Sequence, residues 1–166
     1  ARVDLTKYET GLATCFNTLI HAHGGASNRP GTEFICEVKD STKAVRLMPF
    51  SFNTEQTYCL IASDQNMRFI KDAGQIIEAN KTISGATKAN PCVITATGHG
   101  YSNGEEVFIS GVVGMTELNG RNFRVASKTT NTFELQDLAG TNINSSAFTT
   151  YGSAGTAARV YTITTP

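Results

Sequence analysis

The chain has 166 residues, of which 40% are hydrophobic and 17% charged, with 15 glycines. Low charge with abundant turn formers excludes a disordered chain, and the length suffices for one full domain or two small ones. Fourteen basic residues balance fourteen acidic ones. Arg29, Lys43, Arg46, Arg68, Lys71, Arg121 and Arg124 are spread singly, so the basic stripe of a nucleic-acid binder is missing. No stretch approaches the roughly 18 to 20 apolar residues of a membrane span, and no basic-then-apolar leader opens the chain.

From 5 to 20, Leu5, Tyr8, Leu12, Cys15, Phe16 and Leu19 recur mostly at steps of three or four. That spacing predicts one short N-terminal helix. Asp4 or Thr6 can cap it, with Glu9 at capping-box distance from Thr6. Residues 17–21 suit a helix end or a strand equally. The stretch 23–32 reads as irregular backbone, because its glycines allow positive φ and Pro30 holds its neighbour extended. Strands follow at 33–38, 44–52, 56–63 and 66–71, with 75–78 a further candidate. The polar turns between them are short, which implies antiparallel hairpins. Pro49 inside a strand predicts an edge position or a bulge.

Residues 80–90 carry few large apolar side chains and read as a connector. A second β unit begins after Pro91, with strands at 92–97, 106–110, 121–127 and 132–135. Asn103-Gly104 and Asn119-Gly120 mark turns. Phe123, Val125, Phe133 and Leu135 alternate with polar residues, the pattern of half-buried strands. Residues 140–156 read as a long surface loop, and 157–164 return to a β pattern. The expected fold is mainly β: an antiparallel sheet domain formed by 1–79 and 157–166, with a small β-barrel inserted at 91–156. The last strand would rejoin the sheet of residues 33–78; a tandem of two domains fits the same pattern nearly as well. A start at Ala1 and an end at Pro166, directly after a strand, predict a piece of a longer polypeptide.

The residues that could carry chemistry are few. Cys15, Cys36, Cys59 and Cys92 form no Cys-x-x-Cys pair, so a structural zinc site is disfavoured. Cys36 and Cys59 read as small core residues on strands rather than disulfide partners, which fits a reducing compartment such as bacterial cytosol. His21 and His23 would share one face of a strand and could hold part of a metal shell, but read better as polar residues entering a loop. His99, between Gly98 and Gly100, reads as a turn residue rather than a catalytic base. Glu105, Glu106 and Asp137 could supply the carboxylate pair of a glycosidase, though a solvated turn is the simpler reading. No nucleophile elbow or phosphate-binding loop occurs. The sequence therefore points to no catalytic, cofactor-binding or metal residue, to no cofactor, and to a protein that is not an enzyme.

Two stretches resemble known families. Arg2-Val3-Asp4-Leu5-Thr6-Lys7-Tyr8, His23-Gly24-Gly25 and Arg29-Pro30-Gly31-Thr32-Glu33-Phe34 resemble the opening of phage tail proteins of the tail tubular protein B, or nozzle, group of short-tailed phages. The likeness continues through Arg46-Leu47-Met48-Pro49-Phe50-Ser51-Phe52, Gln56-Thr57-Tyr58 and Met67-Arg68-Phe69-Ile70-Lys71-Asp72-Ala73-Gly74-Gln75-Ile76. Asn28 stands where that family often has a second Arg. The second stretch is Thr97-Gly98-His99-Gly100-Tyr101-Ser102-Asn103-Gly104-Glu105-Glu106-Val107, with Leu118-Asn119-Gly120-Arg121-Asn122-Phe123 and Asn131-Thr132-Phe133-Glu134-Leu135. It resembles the β-barrel module named after the first catalytic-cysteine half-domain (FCCH) of ubiquitin-activating enzyme. That name implies no ubiquitin chemistry, and Cys92 at the module's edge reads as structural.

The first resemblance implies a virion structural protein of the tail, assembled in the host cytoplasm. It would self-associate into a ring, hexameric in the family, contact adjacent tail proteins and form part of the DNA-ejection conduit. DNA would pass through without sequence-specific contact. A second expectation is a binding module for host-surface glycan or a tail fibre, with Tyr101 and Tyr151 as its loop aromatics. A third is a cell-wall hydrolase working through Glu105 and His99.

Overall fold

A computed structural model describes residues 16–21, 25–53 and 55–166. The expected helix falls mainly on residues 1–15, which lie outside the described residues, as does His23. The chain divides into two compact units, Ala1–Phe34 and Ile35–Pro166. In the first, β1 (Thr18–Ile20) pairs antiparallel with β2 (Ala26–Asn28), Leu19 facing Ser27. The part of 17–21 that suited helix or strand equally is thus a strand, which the β-branched Thr18 favours.

The second unit begins with a meander: β3 (Arg46–Ser51), β4 (Thr57–Ser63), β5 (Asn66–Lys71) and the short β6 (Gly74–Gln75). A two-residue turn joins β4 to β5, Gln65 taking φ 52°, and Ser63 faces Asn66 across it. β3 lies at the sheet edge, where a missing N–H at Pro49 costs the ladder least. The expected strand at 33–38 does not form, and no strand is assigned between β2 and β3. Ile35, Cys36 and Val38 are only half-buried, so the alternation covers no core. The Glu37 carbonyl accepts from Arg68 Nη1 at 2.8 Å rather than from a neighbouring strand. The chain then bends at Asp40, whose carboxylate accepts from the Thr42 N–H at 2.9 Å. Cys36 therefore lies on irregular chain, not on a strand as expected.

A seven-stranded antiparallel sheet follows: β7 (Lys81–Thr82), β8 (Gly85–Ala86), β9 (Val93–Thr95), β10 (Glu106–Ser110), β11 (Arg121–Ala126), β12 (Thr132–Gln136) and β13 (Thr156–Arg159). Its order is β7-β13-β10-β11-β12-β9-β8, and it curls as a half-barrel around one core. Ile94, Val107, Ile109, Phe123, Val125, Phe133 and Leu135 are all buried and recur at every second position of their strands, as one concave face requires. Residues 80–90, expected as a connector, supply β7 and β8 and place Ile83 in the core. Their strands are two residues each, too short for a periodic signal.

Residues 140–156, expected as a surface loop, are strapped onto the core. Ser145 is fully buried; its Oγ donates to the Thr87 carbonyl at 2.6 Å and accepts from the Ala89 N–H at 3.1 Å. Ile143 N–H bonds Leu135 O at 2.9 Å, and Cys92 N–H bonds Ile143 O at 2.8 Å. Ile143, Phe148 and Tyr151 pack against the core. Side-chain hydroxyls and single bridges here replace a ladder, so the composition mimics a loop although the backbone is satisfied.

β14 (Thr162–Thr164) pairs with β5, Ile163 facing Met67. The seven-stranded sheet is thus formed by residues lying between β6 and β14. The outgoing and returning chains pair with each other: Ile77 bridges Val160, Tyr161 N–H bonds Ile76 O at 3.0 Å and Glu78 N–H bonds Arg159 O at 2.8 Å. Among the described residues, no helix is long and apolar enough to cross a membrane.

One backbone contact gives a sharp test of the strap. Gly114 has φ +91°, and a Cβ there would stand 2.6 Å from the Gly152 nitrogen. Gly114→Ala combines that clash with a left-handed backbone and is expected to cost roughly 2 kcal/mol or more. Urea unfolding of the variant beside the parent measures it.

Candidate functional site

The two sheets of the second unit meet along a polar seam. β10 sends Val107 and Ile109 into the half-barrel core, so by strand alternation Glu106 points the other way, toward β5. There it meets Arg68, whose side chain is 2% exposed against 8% for Glu106. Arg68 Nη2 donates to Glu106 Oε2, and Nη1 holds the Glu37 carbonyl. Beside this pair, Gln75 and Asn122 exchange two amide hydrogen bonds of 2.6 and 3.0 Å. At the chain crossing, Arg159 donates from Nε to Glu78 at 3.0 Å and from Nη1 to Glu105 at 2.7 Å.

A cleft of about 380 Å³ opens along the seam, lined among others by Lys39, Asn66, Gly104, Glu105, Glu106 and Arg159. Asn66 Oδ1 and Arg68 Nε are buried without a hydrogen-bond partner. Burial pushes the Glu106 carboxyl above its ordinary value, while Arg68 and Asn122 pull it back. A lone carboxylate at this depth would be strongly disfavoured, so the guanidinium is what allows a charge to stand there.

The residues singled out from sequence do not converge. His99 is buried, its Nδ1 accepts from the Tyr101 N–H at 3.0 Å, and its ring packs on Tyr101 and Phe133 with centroids 5.0 and 5.1 Å away. Tyr101, expected as an exposed loop aromatic, is 2% exposed and donates its hydroxyl to Ala157 O at 2.8 Å. The Tyr151 hydroxyl lies 3.0 Å from Ile83 O, half-buried against the core. The buried Tyr101 ring offers no open face to a sugar. Glu105 and Glu106 diverge to different arginines, and Asp137 accepts from the Thr141 N–H at 2.7 Å within its own turn. His21 is exposed with Nε2 2.9 Å from Ser27 Oγ. Cys36, Cys59 and Cys92 are free thiols; Cys92 is fully buried and burial pushes its thiol up. Among the described residues, no group of three His, Cys, Asp or Glu side chains could hold a metal ion.

Sequence reasoning missed the seam. Its one available signal was Arg68 with Asn66, two polar residues sharing one face of β5. Glu106, the partner of Arg68, lies 38 residues away, beyond any local spacing rule. Asn103 and Asn119, read as turn formers, and Asn131 also reach outward. Asn103 Oδ1 accepts from Lys128 N–H at 2.9 Å, Asn131 Oδ1 from Gly98 N–H at 3.0 Å, and Asn119 clamps both backbone groups of Val112 at 2.8 Å.

The curled antiparallel sheet, with a core drawn from one face and no converging reactive groups among the described residues, defines a small β-barrel-like module. Residues 89–161 match the family model of the ubiquitin-activating enzyme E1 FCCH domain. The FCCH domain is a non-catalytic β-barrel module. The match takes in β9 to β13 and leaves the meander outside it. No curated protein matches the chain.

Two outcomes follow, one from the seam and one from the half-barrel core. Glu106→Gln leaves Arg68 buried without a counter-charge and is expected to cost about 3–5 kcal/mol, whereas Arg68→Met combined with Glu106→Leu costs far less; denaturant midpoints of the three variants separate these. Burial, against the pull of Arg159, pushes the Tyr101 phenol up to about 12, above the roughly 10 of an unfolded chain. A raised value means that the fold favours the protonated phenol. Its contribution is full below about pH 10 and is lost as pH rises through about 12. Phenolate absorbance titration should show a late step that Tyr101→Phe removes.

Proposed function

We propose that this chain is part of a virion structural protein, a tail nozzle-like subunit that self-associates into a ring around the DNA-ejection conduit. Three of the stretches that resemble the nozzle group fall on the strands of the meander. Residues 46–52 carry β3, 56–58 open β4, and 67–76 span β5 and β6. The observation that carries the reading is the outer face of this meander. Met48, Phe50, Tyr58, Leu60, Met67, Phe69 and Ile163 alternate onto it, and none is fully buried. Phe50 is 49% and Ile163 43% exposed, and aromatic pairs knit the face together, with Phe50–Tyr58 centroids 6.4 Å and Phe69–Tyr161 centroids 5.8 Å apart. A contiguous apolar face of this kind marks a contact surface more often than free solvent exposure. The balanced charge suits a wall past which DNA moves without binding.

The FCCH-like module, carried between two strands of the meander sheet, would stand at the ring's periphery, where an insertion disturbs neighbours least. Electron microscopy of the full-length protein with a tag in the 140–156 strap tests both points. Closed rings with the tag outside are expected, and Phe50→Asp with Ile163→Asp should shift them to single subunits. Monomers from the parent protein at micromolar concentration would overturn the ring, and a tag lining the bore would overturn the placement.

A further inference from the structure

We propose that neighbouring subunits join edge to edge, β14 of one copy adding to β3 of the next, so that the meander sheet runs on around the ring. This rests on the ring reading and names its contact. The sheet has the order β14-β5-β4-β3, so β14 and β3 are its two edges, and both are largely exposed. Thr165 N–H bonds Gln65 O at 3.2 Å, and Phe52 N–H bonds Gln56 O at 3.0 Å. By alternation, the backbone groups of Thr162 and Thr164 point away from β5, and those of Leu47, Pro49 and Ser51 point away from β4. Among the described residues, no strand pairs with either outer side. Such an open edge is a template for another strand.

Strand direction and side chains select a second copy as that strand. Each neighbouring pair along β14-β5-β4-β3 is antiparallel, so β14 runs opposite to β3. Copies laid side by side therefore bring β14 antiparallel to the next β3. The two edges differ, as a closed ring demands. A symmetric β3–β3 contact centred on Pro49 would instead set proline against proline and lose both bonds of its central pair. The exposed side chains then fix the register. Setting Ile163 opposite Phe50 also sets Tyr161 opposite Phe52. These four are 43%, 49%, 45% and 75% exposed, and by alternation they share the outer face. Sliding β14 along so that Ile163 meets Met48 would leave Phe52 uncovered. In the favoured register Thr162 exchanges both backbone bonds with Ser51. Thr164 donates to the Pro49 carbonyl, and the return bond is the one that proline cannot make.

The test is the full-length protein carrying Phe50→Cys with Ile163→Cys. Directly opposed residues of this kind have Cα atoms about 4.5 Å apart, within the span of a disulfide. Mild oxidation should link the double variant into a ladder of covalent oligomers that reductant collapses, while the parent and each single variant give no ladder. A second readout needs no cysteine variant. In parent rings the amides of Thr162, Thr164 and Ser51 should exchange about tenfold or more slowly than in the Phe50→Asp, Ile163→Asp subunit. Rings whose three amides exchange as in the subunit, or double-variant rings that give no ladder, overturn the edge contact and leave the ring reading standing. Covalent dimers from Phe50→Cys alone would mark a symmetric contact and overturn it too. A parent protein that forms no rings overturns both.

Discussion

A guanidinium sealed between two β-sheets must be neutralised where it stands, and that constraint organises the second unit. Arg68 is almost wholly removed from solvent, and Glu106 answers it from the opposite sheet. The pair is not an efficient source of stability, because both ions lose their hydration. It is demanding about position, however. A register slip of one residue in β5 or β10 would swing one partner to the other face and strand the remaining charge. The reciprocal Gln75–Asn122 amides and the Arg159 fork to Glu78 and Glu105 repeat the same demand at either side. The seam thus fixes how the meander meets the half-barrel, while the apolar residues on the concave face supply most of the driving force.

The division of labour explains what could be read from the sequence. Strands with a regular alternation were legible almost to the residue: the expected 66–71 and 106–110 correspond to β5 and β10, and Phe123, Val125, Phe133 and Leu135 do face the core. Strands of two residues, such as β7 and β8, carry no period and passed as a connector. The 33–38 stretch failed for the opposite reason. It alternates well, but its carbonyl at Glu37 goes to a side chain, and no sheet edge takes up its backbone. The 140–156 strap failed because Ser145 and its neighbours satisfy the backbone through hydroxyls and isolated bridges, a kind of order that composition disguises as looseness.

The candidate site was the least legible part, and the reason is distance. His99, Tyr101 and Glu105 drew attention because motifs are local, yet each already serves the fold. His99 closes a turn, Tyr101 makes a buried hydroxyl bond and Glu105 holds an ion pair. The residues that meet at the seam come from β5, β10, β13 and the crossing chains, and only the fold brings them together. The module that matches the FCCH family over residues 89–161 sits on the second sheet through charged and amide contacts.

Whether the seam makes one body of two sheets can be measured by native-state hydrogen exchange. The backbone amides of Ile61 and Phe69 in the meander should exchange through the same cooperative opening as those of Val107 and Phe123 in the half-barrel, with matching free energies and a common response to urea. Meander amides that open independently, at a much lower free energy than the half-barrel, would contradict the account.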